Sequence, residues 1–485
     1  MIYLCTSRNF RIVSRDGPVF FVTRRQREVS PVITFVTLFL GLTAGTQRIS
    51  LIADHGVKAV QITIDGTSLS TLPAPPWQTS FDFGMSLRPH RILVRALDRS
   101  GNEIGRTTQL VNVPRAAAEG EILLERGLDG QPVAARVTWE SVTQAKPRRF
   151  DVTFDGRRLS VKDLSRFPLP RHDGKRVHVL VVEMEFSSFE RVRLERAFGG
   201  GIAENATSEL TAIPIAVGKG DPDRKALSGA FSADGEPVPV SAVEAGPAKV
   251  TLVRSARADE WFDPSKAKPG SDSAGPGSLS PLTPTLSAES RFVEREPGRF
   301  DMALGEEDQI RFLYPVPLVS DESRLPTNLF PASPYYFTAE HGGIPYLLRS
   351  YTMSFGENAP ERIADAVAVA ALQVAGGNQP RAVVLICSND PADESQFSAT
   401  VVRDYLRRIG VPLFVWCVGA GNCADVRARW GDLEEIGTDT DLRRAISKLK
   451  KELKHQRIVW VEGSWLAQDV VLRHPIEGVR LLAGR

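Results

Sequence analysis

Among 485 residues the sequence has only 4 cysteines and 7 histidines, almost no net charge, and no apolar run long enough to cross a bilayer. Each shortage excludes something. Lys plus Arg number 60 and Asp plus Glu 58; the resulting +2 provides no field for nucleic acid or an acidic surface, so no nucleic-acid partner is expected. A spanning helix needs about 20 apolar residues, and PVITFVTLFLGLTAG, Pro31 to Gly45, is shorter. The histidines stand singly. No P-loop, HExxH, GxSxG or dinucleotide-type glycine fingerprint sits in a fitting strand and helix context, so no catalytic residue, cofactor site or metal ligand is assigned. What is present, 42% hydrophobic and 24% charged residues, is globular composition. The length calls for two to four domains.

The basic stretch RRQREVS (Arg24 to Ser30), the uncharged run 31–45 and its small residues at Ala44 and Gly45 have the shape of a secretory signal: a basic region, an apolar core and a cleavage site. Residues 1–45 are therefore read as a leader, and the product as secreted, periplasmic or surface-exposed, with no stable membrane span after cleavage. Three cysteines remain. Cys417 and Cys423 lie six apart across VGAGN, close enough to bridge; three reduced thiols, Cys387 included, are the other reading.

From Val60, VQITIDGTSL alternates apolar and polar residues into Asp65-Gly66, a tight-turn signal. HRILVRALDRSGNEIG adds a strand pair around Asp98 to Asn102, and QLVNVP ends at Pro114. Ninety residues later FDVTFDGRRL places Asp155-Gly156 against Asp65-Gly66, and RVHVLVVEMEF echoes RPHRILVRALD. Two copies of one β unit are expected, at 50–114 and 120–198. His90 and His178 occupy matching frames and read as edge or core histidines beside a strand. With PPW at Pro75 to Trp77 and DFG at Asp82 to Gly84, the first copy resembles bacterial immunoglobulin-like modules; the second lacks the PPW and GN marks.

After the glycine-rich FGGGIAENATS from Phe198 the texture changes. KVTLV, IRFLYPVP, RAVVLIC, PLFVWCVG and RIVWVEG are short, nearly continuous apolar runs, as in strands of a parallel sheet buried on both faces. Apolar stripes at helical spacing lie between the later ones: Ile363, Val367, Ala370 and Val374, with Asn358 as cap; Phe397, Val401, Tyr405 and Ile409; Leu442, Ile446, Leu449 and Leu453. This is the rhythm of a doubly wound, Rossmann-like α/β domain. It is placed at 206–463, with a Pro, Gly and Ser-rich disordered insert at 263–290 and a C-terminal extension at 464–485.

RAVVLICSNDPADES, RRIGVPLFVWCVG and LKHQRIVWVEG resemble the fourth strand and crest loop, the next helix and strand, and the closing strand of a von Willebrand factor type A domain, in the variant found in bacterial exported proteins. The resemblance covers roughly 350–463. It implies a divalent metal at the carboxyl ends of the strands, held by a DxSxS motif, a Thr and an Asp. Here Arg254, Ser255 and Ala256 stand after the first strand, Glu361 replaces the Thr, and Ser388 replaces the second Asp. A guanidinium beside a divalent cation is repelled by several kcal/mol even at an effective dielectric of about 20, so the site is read as degenerate, without metal. FDPSKA offers only a partial motif at Asp263 and Ser265.

Arg254, Ser255, Glu361, Ser388, Asp390 and Asp393 are the candidate partner-binding crest. Arg254 either receives a partner's carboxylate or, the more ordinary use, pairs internally with Asp390, Asp393 or Glu361. Asp393 or Ser395 is expected to cap the helix that follows. The expected function is a non-enzymatic, exported binding, adhesion or assembly protein with a protein partner. The alternatives are a metal-dependent adhesin with unconventional ligands and an exported enzyme with dispersed residues near Asp390, Glu394 and His341.

Overall fold

The alternating pattern of Ala59–Ile64 and His90–Leu97 buries every second side chain, which makes each a strand with one face toward a core. The computed structural model describes residues 33–484 apart from 38, 40, 55, 114–117, 128–130, 142–146, 174–176, 188–189, 200–209, 219, 221, 223, 263–297, 319–323, 326–328, 354, 356–358, 377–378, 390, 420–421 and 464. In the first module the sheet Thr67–Leu72, Ala59–Ile64, His90–Leu97, Glu103–Val111 faces a second sheet of Ile33–Phe35, Thr46–Ala53 and Gln78–Asp82. Ile49, Val60, Ile62, Trp77, Ile92 and Val94 fill the space between them.

The second module repeats the plan. Arg157–Leu159, Arg149–Phe154, Val177–Ser187 and Glu190–Gly199 form one sheet; Phe167–Pro168, Pro132–Ser141 and Ala118–Arg126 form the other. Both hairpins turn where Asp-Gly was read. Asp65 and Gly66 have φ of 51° and 80°, Asp155 and Gly156 of 49° and 75°, the doubly positive pair that a two-residue turn matching strand twist requires.

Within the uncharged run 31–45, expected as the apolar core of a leader, the described residues include two paired strands. Ile33–Phe35 pairs antiparallel with Thr46–Ala53, Leu42–Thr43 pairs with Arg324–Leu325, and Leu42 is 1% exposed. A β-branched, uncharged run has the same composition in a secretory signal and in a buried strand, so composition could not separate them. The sheet pairing of the first module thus includes Ile33–Phe35, ahead of the expected boundary at 50. Residues 1–32 lie outside the described residues.

The third region is two units. A five-stranded parallel sheet comprises β1 (Lys249–Arg254), β2 (Gln309–Leu313), β3 (Arg381–Ser388), β4 (Leu413–Val418) and β5 (Glu434–Ile436), in the order β2-β1-β3-β4-β5. The helices are α1 (Ala256–Phe262), α2 (Ile344–Ser350), α3 (Ile363–Ala375), α4 (Ala399–Arg408), α5 (Ala424–Trp430) and α6 (Asp439–Lys454). Residues of α3, α4 and α5 share one core with Val253, Val383, Leu385 and Val415. Residues of α1, α2 and α6 share another with Val250, Leu252, Val384, Ile386 and Trp416. Helices thus cover both faces of the sheet. The stripe Leu442, Ile446, Leu449 and Leu453 is buried as read.

RIVWVEG is not the closing strand of this sheet. Gln456–Glu462 pairs antiparallel with Leu210–Val217 and Val240–Glu244 in a separate sheet. The expected extension 464–485 belongs there too: Val479–Leu481 joins that sheet, and Val470–Leu472 pairs with Phe231–Ala233 in the sheet facing it. Ile213, Ile215, Phe231, Val459 and Val470 form one core. The α/β unit is therefore nested inside a small β unit whose two halves flank it in the chain. An apolar run covered on both faces looks alike in parallel and antiparallel sheets, hence the misreading.

Candidate functional site

Strand order reverses between β1 and β3, so the crevice outside their carboxyl ends is the place where an open α/β sheet accepts ligands. Arg254 and Ser255 leave β1 there, Ser388 ends β3, and Glu361 and Arg362 lead into α3. Of the described residues expected at the crest, Arg254, Ser255, Glu361 and Ser388 thus lie at this end of the sheet or lead into α3 beside it. What their side chains do is another matter.

Arg254 is 0% exposed. Its Nη1 donates to the carbonyls of Leu348 at 2.7 Å and Tyr351 at 3.0 Å, the C-terminal end of α2, and its guanidinium lies 4.8 Å from the Phe262 ring centre. A cation at a helix C-terminus meets the negative end of the dipole. So enclosed, it offers nothing to a partner's carboxylate, and that expected use is corrected.

Glu361 is buried and turned inward: Ser255 Oγ donates to Oε2 at 2.7 Å and the Ala256 amide donates to Oε1, which caps the start of α1. Burial pushes the Glu361 carboxyl above its ordinary range, and the hydrogen bonds from Ser255 and Ala256, with the charge of Arg257, only partly oppose it. Cys387, the free thiol, is buried nearby and pushed up to about 12 by burial and then by the charge of Glu361, which leaves it an unreactive thiol.

Asp393 and Ser395 do cap a helix, but not the following one. Asp393 Oδ1 accepts from the Ile363 amide at 2.9 Å and Ser395 Oγ from the Asp365 amide at 3.1 Å, so the crest loop closes the N-terminus of α3. Ser398 caps α4 by accepting from Val401. Asp365 answers from the helix: it accepts from the amides of Gln396 and Phe397 and is ion-paired to Arg362 at 2.6 Å, wholly buried. Sequence reasoning missed Arg362 and Asp365; their spacing of three on a helix start was the available signal. The expected cap Asn358 lies outside the described residues, and Arg362 takes the N-cap position.

Ser388 is half-buried. Asp390, Asp263 and Ser265 lie outside the described residues, as does the insert 263–290. His341 is engaged locally, its Nδ1 accepting from the Thr338 amide at 3.1 Å, while Glu394 is exposed. Among the described residues no three acidic, histidine or cysteine side chains gather as a metal-binding group. Cys417 and Cys423 are joined in a disulfide, Cα atoms 6.3 Å apart. No helix among the described residues is long and apolar enough to cross a membrane.

The crest residues thus act as helix caps: Glu361 for α1, Arg254 for α2, Asp393 and Ser395 for α3. The sequence matches no family model and no curated protein. Among solved structures the chain is similar to fibronectin(III)-like modules of Clostridium thermocellum CbhA, at 15% identity over 16% of this chain and 92% of that one, TM-score 0.15. It is also similar to the central fibronectin-III array of RIM-binding protein (11% identity, 41% of this chain, 81% of that one, TM-score 0.20) and to a β-glycosidase from Bacteroides vulgatus (11%, 35% and 24%, TM-score 0.21). At such scores these likenesses carry no inference about activity; the sandwich architecture rests on the strand pairing itself.

Proposed function

We propose that the protein is a non-enzymatic, exported binding or assembly protein, in which two immunoglobulin-like sandwiches precede a type A-like α/β domain that contacts a protein partner without a metal ion. One observation carries this reading: Arg254, at the position where a type A domain places its first metal carboxylate, is fully buried and bound to the carbonyls that end α2. A divalent cation there would face a fixed positive charge. Glu361 and Asp393, the acids nearest in sequence logic to ligands, hold backbone amides instead. The Cys417–Cys423 disulfide supports an oxidising compartment outside the cytosol.

The test is a thermal unfolding series with magnesium, calcium, manganese or chelator, run beside affinity capture of partners from the native extract under the same conditions. The unfolding midpoint is expected to stay within about 1 °C and the captured partner to be the same with chelator. An ion present at about 100 times its dissociation constant stabilises a folded protein by about 2.7 kcal/mol. A rise of more than about 5 °C with any of the three ions would establish the metal-dependent reading in its place.

A further inference from the structure

The two sandwiches carry the same clasp at the same place. In the first, Asp65 Oδ2 meets His90 Nδ1 at 2.7 Å and Asp65 Oδ1 accepts from the Arg91 amide at 2.8 Å. In the second, Asp155 Oδ2 meets His178 Nδ1 at 2.7 Å and Asp155 Oδ1 accepts from the Val179 amide at 2.9 Å. Each aspartate opens an Asp-Gly turn, so each clasp ties a hairpin to the start of the neighbouring strand. Both histidines are at least nine-tenths buried.

The far side of the ring differs. His178 Nε2 lies 2.9 Å from the Asp173 carbonyl, whereas His90 Nε2 is enclosed with no hydrogen-bond partner among the described residues. An imidazole flanked by acceptors at both nitrogens can donate from both only when it carries two protons, so the doubly protonated ring makes one hydrogen bond more than the neutral one. Phe154 stacks on His178 at 5.3 Å between centres, 18° from parallel, a face suited to a cation, whereas the rings beside His90, Phe83 at 5.4 Å and Phe81 at 6.2 Å, are tilted by 60° and 75°.

We infer that the second sandwich carries a proton-responsive clasp, His178 between Asp155 and the Asp173 carbonyl, which tightens on protonation. The groups facing His178 among the described residues are Asp155 from the hairpin turn, His172 and Asp173 from the preceding segment, and the rings of Phe154 and Phe198. Burial alone would lower the affinity of His178 for its second proton. The hydrogen bonds to Asp155 and the Asp173 carbonyl, with the charges of both aspartates, outweigh it and hold His178 above its ordinary value of 6.5. Asp155 moves in the opposite sense: burial raises it, but the His178 hydrogen bond and the Val179 amide bring it below 3.8. A raised histidine contributes stability fully below its unfolded value and loses it as pH rises through the folded one; a lowered aspartate contributes above its unfolded value and loses it in acid. The clasp is therefore tightest between 3.8 and 6.5 and loosens above that window.

Ring-labelled histidine in the full chain, titrated by NMR from about pH 5 to about pH 8.5, reads this directly. The His178 ring is expected to titrate above 6.5, and Asp155→Asn to lower its proton affinity at least about threefold. Amide exchange in Arg149–Phe154 and Val177–Ser187, corrected for intrinsic rates, should show protection that falls as His178 loses its proton. His178→Gln should remove that dependence and His90→Gln should keep it. A His178 ring titrating at or below 6.5, or protection indifferent to pH in the unsubstituted chain, overturns the inference even if a variant fails to fold.

Discussion

At the scale of single residues, the buried charges of the α/β unit serve helix ends. Arg381, fully enclosed, donates to the carbonyls of Ala375, Ile409 and Gly410 and so closes the C-termini of α3 and α4 together. Burial brings it down to about 10, which still leaves it charged at neutral pH. Arg254 does the same for α2 at the opposite end of the sheet. Glu361 allows a sharp test of the capping role. Glu361→Ala strips Ser255 and the Ala256 amide of their buried acceptor and is expected to cost about 2 kcal/mol in urea unfolding. Glu361→Gln keeps an oxygen for Ala256 and lets the Ser255 hydroxyl rotate to accept, so its cost should stay under about 1 kcal/mol. Equal losses for the two would mean that the negative charge itself is required there.

Among elements, the segment around Leu42 joins the first module to the α/β unit. Leu42, Ala44 and Leu87 share an apolar core with α3, and Asn112 pins the strand by bonding the Thr43 amide at 2.7 Å and the Thr43 carbonyl at 3.0 Å. Leu42→Ala is expected to destabilise the docked pair by about 2–4 kcal/mol, measured by urea unfolding followed at the tryptophans. The hairpins are legible in the sequence because Asp-Gly turns and period-two alternation are local signals, whereas the parallel strands show only as apolar runs that look the same as the antiparallel Gln456–Glu462. The stripe from Leu442 to Leu453 is legible as a local signal too. The partners of Arg254 were not, since the carbonyl of Leu348 lies 94 residues away and nothing near Arg254 announces a helix end. Nor was the role of Asp393, which caps a helix that begins 30 residues before it.

For the whole molecule, the decisive feature is the nesting of the parallel sheet within the small β unit. Val470, 0% exposed, and the strands Val470–Leu472 and Val479–Leu481 complete that unit from the far end of the chain. A chain stopped after Gly463 is expected to leave Phe231–Ala233 with only Glu236–Val238 beside it, having lost Val470–Leu472. Limited proteolysis should then cut within 225–245 while the parallel sheet, whose strands are all present, resists; equal resistance there in the shortened and full chains would show that the last twenty-two residues are dispensable.

The nesting also orders events during synthesis. Chains acquire structure from the N-terminal end as they emerge, yet Leu210–Val217 must wait, unpaired, until more than two hundred further residues have been made. Any machinery that threads this polypeptide through a narrow passage therefore handles an unfinished β unit until nearly the last residue is through, and premature termination or trimming near the tail strikes the piece made first as hard as the piece made last.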